Sequence, residues 1–268
     1  MAGVSDPPAV PLAADVEGHG PPLLLVHGLA EDRSFWDPLV PPLTGTATVV
    51  RVDLRGHGDS PDGPGYALTD LADDVQAAFA ATGLPGPPLV VGHSLGGLVS
   101  LVLAGRHPLR GVVTVDLPLT LAGMHARIQA AKAVIDGGGF SAVMDAVFES
   151  TRGAMDDRTA AALAARRRYR QDVVVAIWEP WLHGTPESLA ALADGIAARV
   201  GVPVLALHGL DPGPGYPAWL AERIPTATVE VWTDDLGRPL GHHPHLMAPG
   251  RFVARLREFA ATCAGSPQ

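Results

Sequence analysis

Ser94 stands in the stretch VVGHSLGGL, residues 90–98, where a run of β-branched and apolar residues ends in Gly92-His93-Ser94-Leu95-Gly96. The spacing G-x-S-x-G is that of a sharp strand-to-helix turn that lifts one hydroxyl off the end of a sheet. Such a turn holds its central residue in a sparsely populated backbone conformation and leaves room only for glycine on its flanks. It also places Ser94 at the N-terminus of the following helix, where free backbone N–H groups and the helix dipole favour developing negative charge. The chemistry implied is nucleophilic attack on a carbonyl.

A serine hydroxyl is a weak nucleophile and needs a base that is itself held by an acid. Near the C-terminus, Gly241-His242-His243-Pro244-His245 follows the last strand-like run. His242, directly after the glycine, is taken as the base, with His243 and His245 as competitors. Three histidines in four positions also suggest a metal, but no second ligand cluster accompanies them, so neither metal nor cofactor is expected. Two aspartates can orient the base. Asp211, in His208-Gly209-Leu210-Asp211-Pro212, is the first choice; Asp116, which ends the run Val112-Val113-Thr114-Val115, is the alternative. Either carboxylate would accept the second ring N–H of His242 and fix its tautomer. Either is equally explicable as a turn aspartate binding backbone N–H groups. An oxyanion hole needs the amide of the residue after the nucleophile, Leu95, and one from a loop after an early strand. Leu29 is the expected second donor, because Gly28 lets the backbone turn inward, while His27 reads as a loop anchor.

These groups need a scaffold. Short apolar runs at Leu23 to Val26, Thr48 to Val52, Leu89 to Val91, Val112 to Val115, Val204 to Leu207 and Val229 to Trp232 alternate with segments of helical period. That alternation predicts an α/β fold with a doubly wound, mostly parallel sheet covered by helices on both faces. Leu71, Val75 and Phe79 mark one helix stripe, residues 95–105 supply another helix, and Phe252, Leu256 and Phe259 mark a C-terminal one. From about Leu117 to Val200 the pattern is helical throughout. The expected organisation is therefore a core of residues 1–116 and 201–268 with a helical cap of residues 117–200 inserted between two late strands. Trp178 and Trp181, near the end of the cap, are its candidate substrate-binding residues.

At 268 residues and 47% hydrophobic content the chain can bury a large single-domain core. Its net charge of -9, from 19 basic and 28 acidic residues, argues against nucleic acid and anionic membranes as partners. The one dense basic run, Arg166, Arg167, Arg168 and Arg170, reads as a solvated helix face. Cys263 is the single cysteine, which excludes an internal disulfide and a cysteine metal site. Residues 1–18 show neither a basic nor an apolar leader pattern, and no later span is long and apolar enough to cross a membrane. The expectation is a cytoplasmic protein.

The pieces VHGL with Phe35-Trp36 downstream, RVDLRGHGDS, VVGHSLGG, LALHGLD and GHHPHLMAPGRF occur in an order that resembles the α/β-hydrolase fold superfamily over nearly the whole chain. The resemblance implies that Asp53 to Ser60 forms a structured turn near the site, with His57 not catalytic. The chain departs from the family at the acid: relatives commonly have two residues between the glycine and the aspartate where Gly209 and Asp211 have one. Some lactone-hydrolysing members, similar to zearalenone lactonases, carry the acid at the end of the preceding strand before Leu-Pro, as in Asp116-Leu117-Pro118. Serine at the elbow argues against the dehalogenase and epoxide hydrolase chemistry that uses aspartate there. The expected function is a serine hydrolase acting on a small, fairly apolar carboxylic ester or lactone. Carbon–carbon bond hydrolysis, perhydrolysis and non-catalytic small-molecule reception are the alternatives within the same fold.

Overall fold

In a computed structural model describing residues 9–264, seven strands form one sheet: β1 (Ala14–Gly18), β2 (Pro22–Val26), β3 (Thr48–Val52), β4 (Leu89–His93), β5 (Gly111–Val115), β6 (Val204–His208) and β7 (Ala227–Val231). Their order is β1-β3-β2-β4-β5-β6-β7, with β1 antiparallel to β3 and every other pair parallel. All five residues are buried in each of β2 to β6, as a sheet covered on both faces requires. β1 was not expected from the sequence. Its segment ADVEG is polar and largely exposed, an edge strand with no apolar run to announce it.

The helices are α1 (Val40–Leu43), α2 (Leu68–Ala81), α3 (Leu95–Ala104), α4 (Ala122–Asp136), α5 (Phe140–Ser150), α6 (Asp157–Arg166), α7 (Gln171–Ile177), α8 (Glu179–His183), α9 (Pro186–Ala197), α10 (Tyr216–Arg223), α11 (Pro244–Met247) and α12 (Pro249–Ala264). Strand side chains alternate between two cores. Leu24, Val26, Val50, Val90 and Val112 join Leu71, Val75 and Phe79 of α2 and the apolar length of α3. Leu23, Leu25, Val91, Val113 and Leu205 face the other way, onto Phe252, Leu256 and Phe259 of α12. The period of two along the strands thus places helices on both faces.

Between β5 and β6 the described residues form helices α4 to α9 and no strand. The last of them, α9, packs on α3 as well as on α4. In the arginine run at the end of α6, Arg168 and Arg170 are exposed as expected, but Arg166 and Arg167 are half-buried and the run is anchored by specific contacts. Arg166 donates to Ser34 Oγ at 2.7 Å, the Arg168 backbone N–H donates to the Ala30 carbonyl at 3.1 Å, and Arg170 pairs with Asp62 at 2.7 Å. Arg167 lies over the Phe148 ring at 3.6 Å. The run fastens the inserted helices to the loops that follow β2 and β3. No helix among the described residues is long and apolar enough to cross a membrane. The first eight residues of the segment read for an export leader lie outside the described ones.

Candidate active site

Parallel strands deliver their C-terminal ends to one edge of the sheet, and there the order reverses direction around β2 and β4, opening a crevice. The loop after β2 brings Leu29, the turn after β4 brings Ser94 and Leu95, the end of β5 brings Asp116, and the chain after β7 brings His242. All five line one cavity of about 470 Å³.

Three non-glycine residues among the described ones have positive φ: Ala30 at 60°, Ser94 at 50° and Asp116 at 48°. Each is next to or part of this cavity's rim of polar groups. Non-glycine residues held there cost of order 1–3 kcal/mol each, and such strain gathers at functional sites. At Ser94 the reason is visible. A Cβ on Gly92 would stand 2.1 Å from the Gly96 carbonyl oxygen, and one on Gly96 would stand 2.2 Å from that of Val26. Only glycine lets strand, turn and helix approach so closely.

His242 Nδ1 lies 2.6 Å from Asp116 Oδ2. The other oxygen, Asp116 Oδ1, accepts the backbone N–H groups of Gly209 and Leu210, both at 2.9 Å. Burial alone would raise the Asp116 carboxyl, but His242 and these two N–H donors hold it below the usual carboxylate range. Asp211, the first choice from sequence, is placed differently. It is exposed at the cavity edge and its Oδ1 accepts the Gly213 N–H at 2.8 Å, an Asx turn. The structure therefore brings Asp116, not Asp211, to His242.

The competing histidines are turned away from the cavity. His243 Nε2 bonds Glu31 Oε1 at 2.8 Å, and His245 is buried with its ring 5.0 Å from that of Trp36. Burial pushes His243 down to about 4 and His245 well below the usual histidine value. His27 is an anchor: its Nε2 accepts the Leu54 N–H at 3.0 Å, which leaves Nδ1–H to donate to the Gly28 carbonyl at 2.7 Å. The turn from Asp53 to Ser60 is closed by Asp53, which accepts the Asp59 N–H at 2.8 Å. His57, in that turn, is outside the cavity lining and bonds the Arg55 carbonyl at 3.0 Å.

Most of the residues that line the cavity are apolar, and α4, α5, α7 and α8 supply many of them. Trp178 and Trp181 are both buried in it, 4% and 2% exposed. Arg127 of α4 is the one lysine or arginine of the lining. Sequence reading missed Glu31. Its carboxylate, with His93 and His243, forms a buried group whose donor atoms lie within 4.8 Å of one another, a spacing suited to a metal ion. Hydrogen bonds among the three already occupy those atoms. No pattern in sequence marks the group, since its members are 62 and 212 positions apart.

Comparison with known proteins agrees with this architecture. A 2-(acetamidomethylene)succinate hydrolase of Mesorhizobium japonicum is 38% identical over 104 residues, 37% of either chain. The chain thus matches only about a third of the length of the first curated relatives. A pimeloyl-[acyl-carrier protein] methyl ester esterase of Chromobacterium violaceum is 28% identical over 94% of this chain and 98% of its own. Among solved structures, the enol-lactonase of Burkholderia xenovorans superposes with a TM-score of 0.68 at 24% identity, covering 93% of this chain and 96% of that one. The profile of the alpha/beta hydrolase family matches residues 23–255. By that match, and by a seven-stranded, mostly parallel sheet with helices on both faces, the chain belongs to the alpha/beta hydrolase family.

Proposed function

We propose that the protein is a serine hydrolase that cleaves a small, fairly apolar carboxylic ester or lactone through Ser94, His242 and Asp116. The observation that carries this reading is the Asp116–His242 hydrogen bond at the wall of the cavity that Ser94 lines. Asp116 fixes the proton of His242 on Nδ1, which leaves Nε2 free to take the Ser94 proton. Ser94 Oγ adds to the substrate carbonyl, and the Leu95 and Leu29 amides hold the resulting oxyanion. His242 returns the proton to the departing alcohol, leaving an acyl-enzyme. Water then attacks the acyl carbon with His242 again as base, releasing the acid. In a lactone the alcohol and the acid are two ends of one product.

The apolar wall supports the substrate class. A cavity of this size accommodates a small ligand, and Ser94, Asp116 and His242 are among the polar residues that line it. The helices α4 to α8 act as a cap, with Trp178 and Trp181 bounding the acyl or alkyl group. The names of the relatives, an ester hydrolase and an enol-lactonase among them, point the same way.

A panel of p-nitrophenyl esters and of five- and six-membered lactones tests the reading. Turnover of apolar members is the expected result, with charged or bulky ones poor. Absence of turnover across the panel by folded protein would leave a non-catalytic receptor. Prolonged chelation with EDTA is expected to leave the rate unchanged, because every group assigned to the reaction is organic. Loss of activity that zinc restores would contradict the mechanism.

A further inference from the structure

Behind His242 lies a set of titratable groups that the proton transfer does not use. Glu31, His93 and His243 are 4%, 0% and 2% exposed. His93 is the residue immediately before Ser94, and its ring is held at both nitrogens. Nδ1 lies 2.9 Å from Glu31 Oε2, and Nε2 lies 2.8 Å from the backbone carbonyl oxygen of His242. A backbone carbonyl only accepts, so Nε2 carries a hydrogen. An ionised carboxylate only accepts, so Nδ1 carries one too. A ring that donates from both nitrogens is an imidazolium.

We propose that His93 is a charged positioning residue: paired with Glu31, it grips the His242 carbonyl and so fixes the base relative to the turn that carries Ser94. The pairing stands on geometry alone, while its consequence for turnover rests on the serine hydrolase reading. Glu31 is the hub. Its Oε2 also accepts the Gly28 N–H at 2.8 Å, and its Oε1 accepts from His243 Nε2 at 2.8 Å. Three loops are thereby tied at one carboxylate: the loop that supplies Leu29, the elbow, and the segment that supplies the base. A Cβ on Gly28 would come within 2.8 Å of His93 Nδ1 and 2.9 Å of Glu31 Oε2, so the glycine there makes room for the pair.

The groups facing His93 are Glu31, Asp116 and the rings of His242, His243 and His245, the last three at 4.6, 4.7 and 4.9 Å between centroids. Burial works against the His93 charge, but Glu31, the His242 carbonyl and Asp116 leave it raised above the usual histidine value. Burial likewise works against the Glu31 carboxylate, which His93 and His243 nonetheless hold well below its usual range. His243 and His245 are pushed down and stay neutral. Of His93, His243 and His245, the positive charge therefore sits on His93. The sign follows for stability. The raised His93 loses its contribution as pH climbs through its folded value, and the depressed Glu31 loses its contribution as pH falls through its own.

Nitrogen-15 NMR of histidine-labelled wild-type protein reads the protonation directly. Both His93 ring nitrogens are expected to be protonated at neutral pH, where an ordinary histidine with a pKa of about 6.5 has mostly lost one proton. A His93 ring with one bare nitrogen at neutral pH would overturn the proposal. So would one equivalent of metal in the purified protein that Glu31→Gln removes, because the donor atoms would then hold an ion in place of protons. Glu31→Gln keeps the shape but removes the counter-charge. It is expected to strip one proton from His93 and to lower kcat about 10- to 100-fold with KM nearly unchanged, since small misplacements of catalytic groups cost that much. Wild-type kcat alongside a neutral His93 would remove the positioning role. Failure of a fluorophosphonate to label Ser94 in wild type would instead strike the hydrolase reading and leave the NMR result intact.

Discussion

Ser94→Ala is expected to lower ester turnover on the order of 10⁶-fold, with the residue left over coming from binding and the oxyanion donors. Ser94 caps no backbone N–H with its side chain. Its hydroxyl therefore contributes little to the turn, and the variant should fold and melt like wild type. A fluorophosphonate should give one adduct on the wild-type protein, located at Ser94 by peptide mass spectrometry, and none on Ser94→Ala. An adduct elsewhere, or undiminished turnover in the alanine variant, would sink the serine hydrolase reading. The expectation rests on position: the turn after β4 raises this hydroxyl into the cavity at φ 50°, directly ahead of the free N–H groups of α3.

Asp116→Asn is expected to cost on the order of 10⁴ in turnover, and Asp211→Asn very little. The contacts of Asp116 say why. Two backbone N–H groups, from Gly209 and Leu210, point at Oδ1. In the asparagine variant that place must go to the amide oxygen, which forces the amide NH₂ into the position of Oδ2, against His242 Nδ1. A donor there selects the tautomer with its hydrogen on Nε2, and that nitrogen can no longer take the Ser94 proton. Asp211 accepts the Gly213 N–H, a role that an asparagine oxygen fills equally well. Melting temperatures must accompany the kinetics, because a buried polar group left without its partner costs about 1–3 kcal/mol. The crippling of Asp211→Asn with Asp116→Asn active would return the acid to the position first chosen from sequence. Equal, modest losses in both would leave His242 without a single orienting carboxylate.

The difference between these two aspartates marks how far a linear reading reaches. Register pairs Val115 of β5 with Leu207 of β6, so Asp116 stands level with His208, while Asp211 lies three residues farther along a loop. Both are strand-end carboxylates by sequence. Only the packed loop shows that the Gly209 and Leu210 amides turn toward Asp116 while Asp211 turns back on its own turn. His93 and Glu31 are a stronger case. In sequence His93 is an unremarked residue of the elbow, and Glu31 is one acid among 28 acidic residues. Their pairing across 62 positions, and the reach of His93 across 149 to His242, exist only once β2, β4 and the base loop share one sheet edge.

By itself the sequence determined what depends on neighbours along the chain. Apolar runs of strand length and helical stripes set the elements. Glycine on both sides of Ser94 marked the strained turn, because close approach there forbids any side chain. The edge strand β1 escaped because an exposed strand carries no apolar signature. Tertiary structure decided everything that depends on which side chains meet: Asp116 as the partner of His242, the arginine run as a fastening between inserted helices and core, and the buried Glu31–His93 pair. The physical reason is the same in each case. Hydrogen bonds and ion pairs act over about 3 Å, and a fold chooses which distant residues come within it.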